Sequence, residues 1–133
     1  MTFRVLVVDD NLITQRIAAE SIKKIGCECR VADNGAEALR ELAQGPFDLI
    51  LMDDQMPVLD GCEATRQIRA GHVGEKNARV PIVAITGAIA PSDLERCLAA
   101  GMNDAIHKPF SLSELRAKVQ KWLDRDPDDS NRL

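Results

Sequence analysis

Apolar residues in this chain come in short, dense runs, and each run stops at polar residues that carry chemistry. Phe3–Val8 ends at Asp9-Asp10-Asn11 and Phe47–Met52 ends at Asp53-Asp54. Pro81–Ile85 ends at Thr86-Gly87, and the brief Asp104–Ile106 leads into His107-Lys108-Pro109-Phe110. Phe47–Met52 shows no polar alternation after Asp48, which suits a parallel strand covered on both faces; a half-exposed antiparallel strand would alternate. Glu28–Ala32 is a fifth, weaker strand candidate.

Between these runs the period becomes helical. Leu12–Ile25 predicts a helix with Asn11 as its cap, Ile13, Ile17, Ile22 and Ile25 as its apolar stripe and Gly26 as its stop. Asn34 with Glu37, Asp60 with Glu63, Ser92 with Glu95 and Ser111 with Glu114 all have the spacing of a capping box. They predict a helix packing Ala38, Leu39 and Leu42, one running to about Ala70, one carrying Leu94, Cys97 and Leu98 up to Gly101, and a last one with Leu112, Leu115, Val119 and Trp122 inward. Gly71–Arg79 is expected to be a polar loop. Strands alternating with helices in this way predict an α/β fold, a doubly wound parallel sheet of five strands joined through right-handed crossovers to five helices.

A chain of 133 residues makes one domain and buries roughly two-thirds of its unfolded surface. Residues 1–123 are assigned to that domain, and 124–133, DRDPDDSNRL, to an acidic tail or the start of a linker. Met1 directly before the first strand is expected to be a natural start. No apolar run is long enough to span a bilayer, and MTFRVLVVDD lacks the features of a secretory signal, so a cytoplasmic location with no membrane partner is expected. A net charge of −4 and the lack of a basic stripe argue against a nucleic-acid surface and for protein partners. The cysteines, Cys27, Cys29, Cys62 and Cys97, form no C-x-x-C, and neither His72 nor His107 completes a zinc spacing, so free thiols are expected.

Asp9, Asp10, Asp53, Thr86 and Lys108 each follow or end a predicted strand, and a doubly wound sheet gathers such ends along one edge, outside which ligands settle. Carboxylates gathered there resist ionising together and call for a cation; oxygen ligands with room for water favour Mg²⁺. Thr86 adds a hydroxyl donor and Lys108 a mobile positive charge. With a divalent cation these groups can hold a phosphoryl group while one carboxylate acts as nucleophile, and Asp53 is the nucleophile expected. Asp54 is its competitor, but neighbouring side chains on a strand point to opposite sides, so only one of the two faces the acid pair.

The segments VLVVDDN, LILMDDQMPVLDG, IVAITG and GMNDAIHKPF, taken together, resemble the receiver domain of two-component response regulators, and the resemblance extends up to Trp122. It implies a flavodoxin-like fold with strand order 2-1-3-4-5. It also implies a phosphorelay in which Asp53, the residue directly after Leu51-Met52, takes a phosphoryl group from a phosphohistidine. The donor would be a sensor histidine kinase or a histidine phosphotransfer protein, and phosphorylation would switch binding to a downstream protein. By the same resemblance Asp10 binds Mg²⁺ directly, Asp9 does so through water, and the backbone carbonyl of Gln55 completes the protein ligands. Thr86 and Lys108 contact the phosphoryl oxygens, and the Lys108–Pro109 bond is cis. Gln55 and Ala88, two positions after Asp53 and Thr86, would govern water access to the phosphoryl group. Such a domain assists its own phosphorylation and dephosphorylation but is not an enzyme acting on an external substrate.

Ile13, Thr14, Ile17 and Pro109 are expected to flank the site and dock the phosphoryl donor, while His107 is expected to be a solvent-facing loop residue. One departure from the pattern is Ala105, where many receivers carry Tyr or Phe three residues before the lysine. The switch is then expected to run through Thr86, Gly87 and Ala105 and the backbone around them. A Mg²⁺-dependent phosphohydrolase with an aspartyl nucleophile is the competing enzyme reading, but its D-x-D pattern would need an acid where Gln55 stands. A degenerate receiver that binds partners without phosphorylation is a third reading, set against the complete acid, Thr and Lys positions.

Overall fold

The computed structural model describes residues 2–87 and 91–124. Strands β1 (Arg4–Val8), β2 (Glu28–Ala32), β3 (Leu49–Asp53), β4 (Ile82–Thr86) and β5 (Asp104–His107) pair in parallel in the order β2-β1-β3-β4-β5. Helices α1 (Leu12–Lys24), α2 (Gly35–Ala43), α3 (Gly61–Arg69), α4 (Pro91–Ala100) and α5 (Leu112–Leu123) alternate with them. The fold is therefore the five-stranded, doubly wound, flavodoxin-like sheet that the sequence implies. Every residue of β3 and β4 is buried, which is why these segments read as unbroken apolar runs. β2 lies at an edge with Glu28 and Arg30 exposed, hence its weak signal.

Strand alternation divides the core in two. Val5, Val7, Leu49, Leu51, Val83, Ile85 and Ile106 meet α1 and α5 through Ala18, Ile22, Leu115 and Val119. Leu6, Val8, Ile50, Met52, Ile82 and Ala84 face the other way, toward Ala38 and Leu42 of α2, Cys62, Ala64 and Ile68 of α3, and Cys97 and Ala100 of α4. This division decides which strand-end side chains can meet.

Asn11, Asn34, Asp60 and Ser111 all cap as expected, each accepting backbone N–H bonds from the first turn of its helix. Ser92 does not: α4 already includes Pro91, so Ser92 lies inside its first turn, where a proline is tolerated because that turn has no intrahelical acceptor for its N–H. The apolar stripe of α1 also differs from expectation. Its core face is Gln15, Ala18 and Ile22, while Ile13 is 71% and Ile17 40% exposed. Each residue steps about 100° around a helix, so Ile17 stands a full step away from the face Ala18 buries. Leu112 is likewise exposed, because α5 turns in Leu115 and Val119; Trp122 is half-buried against the same core. On α4 Cys97 is buried while Leu94 and Leu98 stay partly exposed.

The 71–79 connection is more ordered than a polar loop. It holds a short 3-10 turn, Asn77–Arg79, and the buried Asn77 amide donates to the carbonyls of Leu42, Gly45 and Val73 while its Oδ1 accepts from the Phe47 N–H. The cysteines are free thiols, Cys62 and Cys97 buried, Cys27 and Cys29 half-buried. Among the described residues no helix is long and apolar enough to cross a membrane.

Candidate functional site

β1 and β3 are neighbours with Val8 opposite Met52, so the residues that follow, Asp9 and Asp53, emerge side by side at the carboxyl edge. Asp9, Asp10 and Asp53 each bring a carboxylate oxygen to within 4.8 Å of the others; Asp9 and Asp53 are buried and Asp10 is exposed. The Asn11 N–H donates to Asp9 Oδ1 at 2.8 Å, and the Gln55 N–H donates to Asp53 Oδ1 at 3.2 Å. From the next strand but one, Lys108 Nζ approaches Asp9 Oδ2 at 2.9 Å and Asp53 Oδ2 at 3.5 Å. Lys108 is set by its own N–H bond to the Thr86 carbonyl, and the Lys108–Pro109 bond is cis.

Burial pushes the Asp53 carboxyl up, to about 7; the Gln55 N–H and Lys108 pull down, but the charges of Asp9 and Asp54 add to the rise. Burial lowers the Lys108 ammonium, yet contact with Asp9 and the charge of Asp53 outweigh it, and its pKa is raised. Asp9 Oδ2 is buried and meets the Lys108 ammonium at 2.9 Å, with no other hydrogen-bond partner among the described residues. An unsaturated buried carboxylate oxygen beside a second buried acid and an exposed third fits a hard divalent cation such as Mg²⁺, held by some oxygens of the protein and the rest of water.

Thr86 reaches the same edge but not the same side. Its Oγ1 donates to Asp54 Oδ2 at 3.0 Å, so the hydroxyl is engaged here by Asp54. The reason lies in the alternation: Thr86 follows Ile82 and Ala84, and Asp54 follows Ile50 and Met52, onto the face of α2, α3 and α4. Asp9 and Asp53 instead follow Val5, Val7, Leu49 and Leu51 onto the face of α1 and α5, where Ile106 and then Lys108 also belong. Cys97 on α4 marks the Asp54 side: burial first, then Cys62, then the charge of Asp54 push its thiol up to about 12.

Backbone geometry explains the loop after β3. A Cβ on Gly61 would lie 2.2 Å from the Asp53 carbonyl oxygen, and one on Gly35 would lie 2.5 Å from that of Leu59. Both glycines let the chain press against the acceptor loop. Within that loop Val58 has φ 71° and is 83% exposed, an uncommon conformation for a β-branched residue.

Ile13, Ile17 and Pro109 are exposed and Thr14 is half-buried, and Leu12 and Leu112 are exposed too. Gln55, Gly87 and His107 are exposed, and Ala105 is half-buried against the core on the α4 side. Ala88 lies outside the described residues. A residue the sequence did not reveal is Gln15: its buried amide donates to the Asp9 carbonyl and, at 2.7 Å, to Asp33 Oδ1, tying α1 and the end of β2 to the acid strand. The one available signal was its spacing from Ala18 and Ile22 on the buried face of α1.

Known proteins share this fold. The receiver domain of a sensor histidine kinase from Pseudomonas aeruginosa, whose crystal structure has a magnesium ion coordinated in the active site cleft, superposes with a TM-score of 0.84 at 38% identity, covering 94% of this chain and 100% of that one. Chemotaxis protein CheY4 of Vibrio cholerae gives a TM-score of 0.86 at 28% identity, covering 92% of this chain and 100% of that one. Hybrid signal transduction histidine kinase K of Dictyostelium discoideum is 41% identical over 125 residues, which are 91% of this chain but 10% of that protein. The chain thus spans a small part of the curated kinases it matches. The model of the response regulator receiver domain matches residues 5–120, the stretch from β1 into α5 that builds the acid edge, and the chain belongs to that family.

Proposed function

We propose that this chain is the phosphoacceptor of a two-component phosphorelay, with Asp53 taking a phosphoryl group from a phosphohistidine. The observation that carries this reading is the grouping of Asp9, Asp10 and Asp53 beside the Lys108 ammonium. A carboxylate oxygen of Asp53 attacks phosphorus, the P–N bond to the donor imidazole breaks as the O–P bond forms, and the imidazole takes up a proton. Lys108, already 3.5 Å from Asp53 Oδ2, is placed to meet the negative charge of the transferring group. Bound Mg²⁺ would neutralise the acids and the phosphoryl oxygens; Asp10, Asp53 and the Gln55 carbonyl would hold it directly and Asp9 through water. Thr86 contacts the phosphoryl group once its hydroxyl has turned from Asp54.

The donor is a sensor histidine kinase or a histidine phosphotransfer protein, a class supported by curated relatives that are themselves histidine kinases. Ile13, Thr14, Ile17 and Pro109, beside the site, form its docking edge. The domain assists its own phosphorylation and dephosphorylation and turns over no external substrate. Residues 1–123 do this work in the cytoplasm, where ATP-fed kinases supply the phosphohistidine; residues 125–133, expected to be an acidic tail or the start of a linker, lie outside the described residues. With Ala105 in place of an aromatic, output to a downstream protein runs through Thr86, Gly87 and residues 105–107, without nucleic acid or membrane.

The test is transfer from a histidine-phosphorylated phosphotransfer protein in Mg²⁺. Label should pass to the wild type and not to Asp53→Ala. Ile17→Glu should slow transfer from the protein donor while sparing phosphorylation by a small donor; equal loss of both would refute the docking edge.

A further inference from the structure

The hydroxyl of Thr86 is held by a carboxylate other than the acceptor. Thr86 Oγ1 and Asp54 Oδ2 are 3.0 Å apart, and both residues are only 4% exposed. A hydroxyl carries a single proton, and a carboxylate is among the strongest acceptors for it in a buried setting. Thr86 therefore cannot donate to Asp54 and to a phosphoryl oxygen on Asp53 at once. The two candidate acceptors lie on opposite sides of the sheet edge: Asp53 with Asp9 and Lys108 toward α1 and α5, Asp54 with Cys62 and Cys97 toward α3 and α4. The backbone around Asp54 is fixed from both sides, its N–H bonded to the Ile85 carbonyl and its carbonyl accepting from the Gly61 N–H.

We propose that Asp54 is a positioning residue that competes with the phosphoryl group for the Thr86 hydroxyl, so that phosphorylation of Asp53 and release of the Asp54–Thr86 bond are linked. This deepens the receiver reading and rests on it. A ligand shifts a two-state element only by its differential affinity for the two states, and here the states are Thr86 on Asp54 and Thr86 on the phosphoryl group. When the hydroxyl leaves, Asp54 loses a buried donor beside the α3–α4 side of the core. Its carboxylate must then find another donor or move, which gives α4 a lever in a chain with Ala105 where an aromatic would otherwise respond.

The test uses beryllofluoride with Mg²⁺ as a phosphoryl mimic, titrated by amide NMR into the wild type, Asp54→Asn, Asp54→Ala, Thr86→Ala and Asp54→Asn/Thr86→Ala. Weakening or removing a charged buried acceptor should let Asp54→Asn and Asp54→Ala bind the mimic about ten-fold more tightly than wild type. In the Thr86→Ala background the same Asp54→Asn change should gain about three-fold or less, the part due to lost charge near Asp53, and Thr86→Ser should restore the full gain. Equal gains with and without the Thr86 hydroxyl, or no gain in either Asp54 variant, would overturn the competition. If the wild type fails to bind the mimic at all, the receiver reading fails and the competition falls with it.

Discussion

Lys108 Nζ stands nearer to Asp9 Oδ2, at 2.9 Å, than to Asp53 Oδ2, at 3.5 Å. The lysine thus serves as counter-charge to the acid pair as well as partner to the acceptor, and its two duties can be separated. Lys108→Ala removes a cation beside a cation site and should tighten Mg²⁺ binding several-fold, while phosphoryl transfer falls by about 100-fold through loss of charge stabilisation. Calorimetry for Mg²⁺ and stopped-flow phosphorylation read the two effects; parallel loss of both would mean that Lys108 only holds the site together.

Asp53 sets a pH dependence. Its folded-state pKa is raised to about 7, so its contribution to stability is present below the unfolded value of about 3.9 and is lost as pH rises through about 7. Asp53→Asn should therefore stabilise the metal-free protein by about 1–3 kcal/mol at pH 8 and much less at pH 4, measured by urea unfolding. Mg²⁺ competes with the proton on Asp53, so its affinity should weaken up to about ten-fold per unit as pH falls below that pKa. A flat Mg²⁺ affinity between pH 8 and 5.5 would contradict this.

Gly61 fixes the acceptor from behind. With a Cβ placed 2.2 Å from the Asp53 carbonyl oxygen, Gly61→Ala has to move backbone, since a strand carbonyl has no rotamer to give. The expected loss is about 2–4 kcal/mol of stability, with weakened Mg²⁺ binding in whatever remains folded. Gly71→Ala, which has positive φ but no neighbour within 4 Å of the added carbon, should lose stability while leaving Mg²⁺ affinity unchanged.

Val58 offers the reverse effect. A β-branched residue at φ 71°, 83% exposed, gives up little packing when replaced. Val58→Asn should raise stability by about 1 kcal/mol, visible as a higher melting temperature, because Asn adopts this region at lower energy. An unchanged or lower melting temperature would show that the valine is held there by contacts the strain argument omits.

At the far end of β5, Asp104 accepts from Lys118 Nζ at 2.8 Å, Lys121 Nζ at 3.3 Å and Trp122 Nε1 at 2.9 Å, fastening α5 to the sheet. Burial would raise this carboxyl, but the Lys118 and Trp122 bonds and the Ala105 N–H more than offset it and lower its pKa to about 2. A depressed pKa contributes stability that is present above the unfolded value of about 3.9 and is lost as pH falls toward about 2. The wild type should lose on the order of 1–2 kcal/mol from this group across that window, and Asp104→Asn should lose correspondingly less there while being less stable at neutral pH.

Much of this was legible in the chain. Unbroken apolar runs marked β3 and β4 because both faces are covered, and four of the five helix caps followed from Asn, Asp or Ser at the right spacing. The acid edge followed from each run ending at Asp, Thr or Lys. Helical spacing alone does not set the inward face of α1: Ile13 and Ile17 satisfy a loose helical spacing but lie off the narrow face of Gln15, Ala18 and Ile22. A polar residue on a core face, such as Gln15, carries no apolar signal, and its role appears only once Asp9 and Asp33 are brought to it.

Thr86 is the instructive case. Its position at the strand end is plain in the sequence, and so is its parity: two residues beyond Ala84, it shares a face with Asp54, two residues beyond Met52. Gathering strand ends along one edge says where side chains emerge, not which face they take, and that second question needs the parity of each strand.

Intact mass of the protein incubated with Mg²⁺ and a small phosphoryl donor, beside Asp53→Ala and with and without EDTA, is the deciding measurement. A single phosphoryl addition that needs the metal and disappears in Asp53→Ala is the expected result. Addition that persists in Asp53→Ala, or none under any condition in the wild type, would contradict Asp53 as the phosphoacceptor.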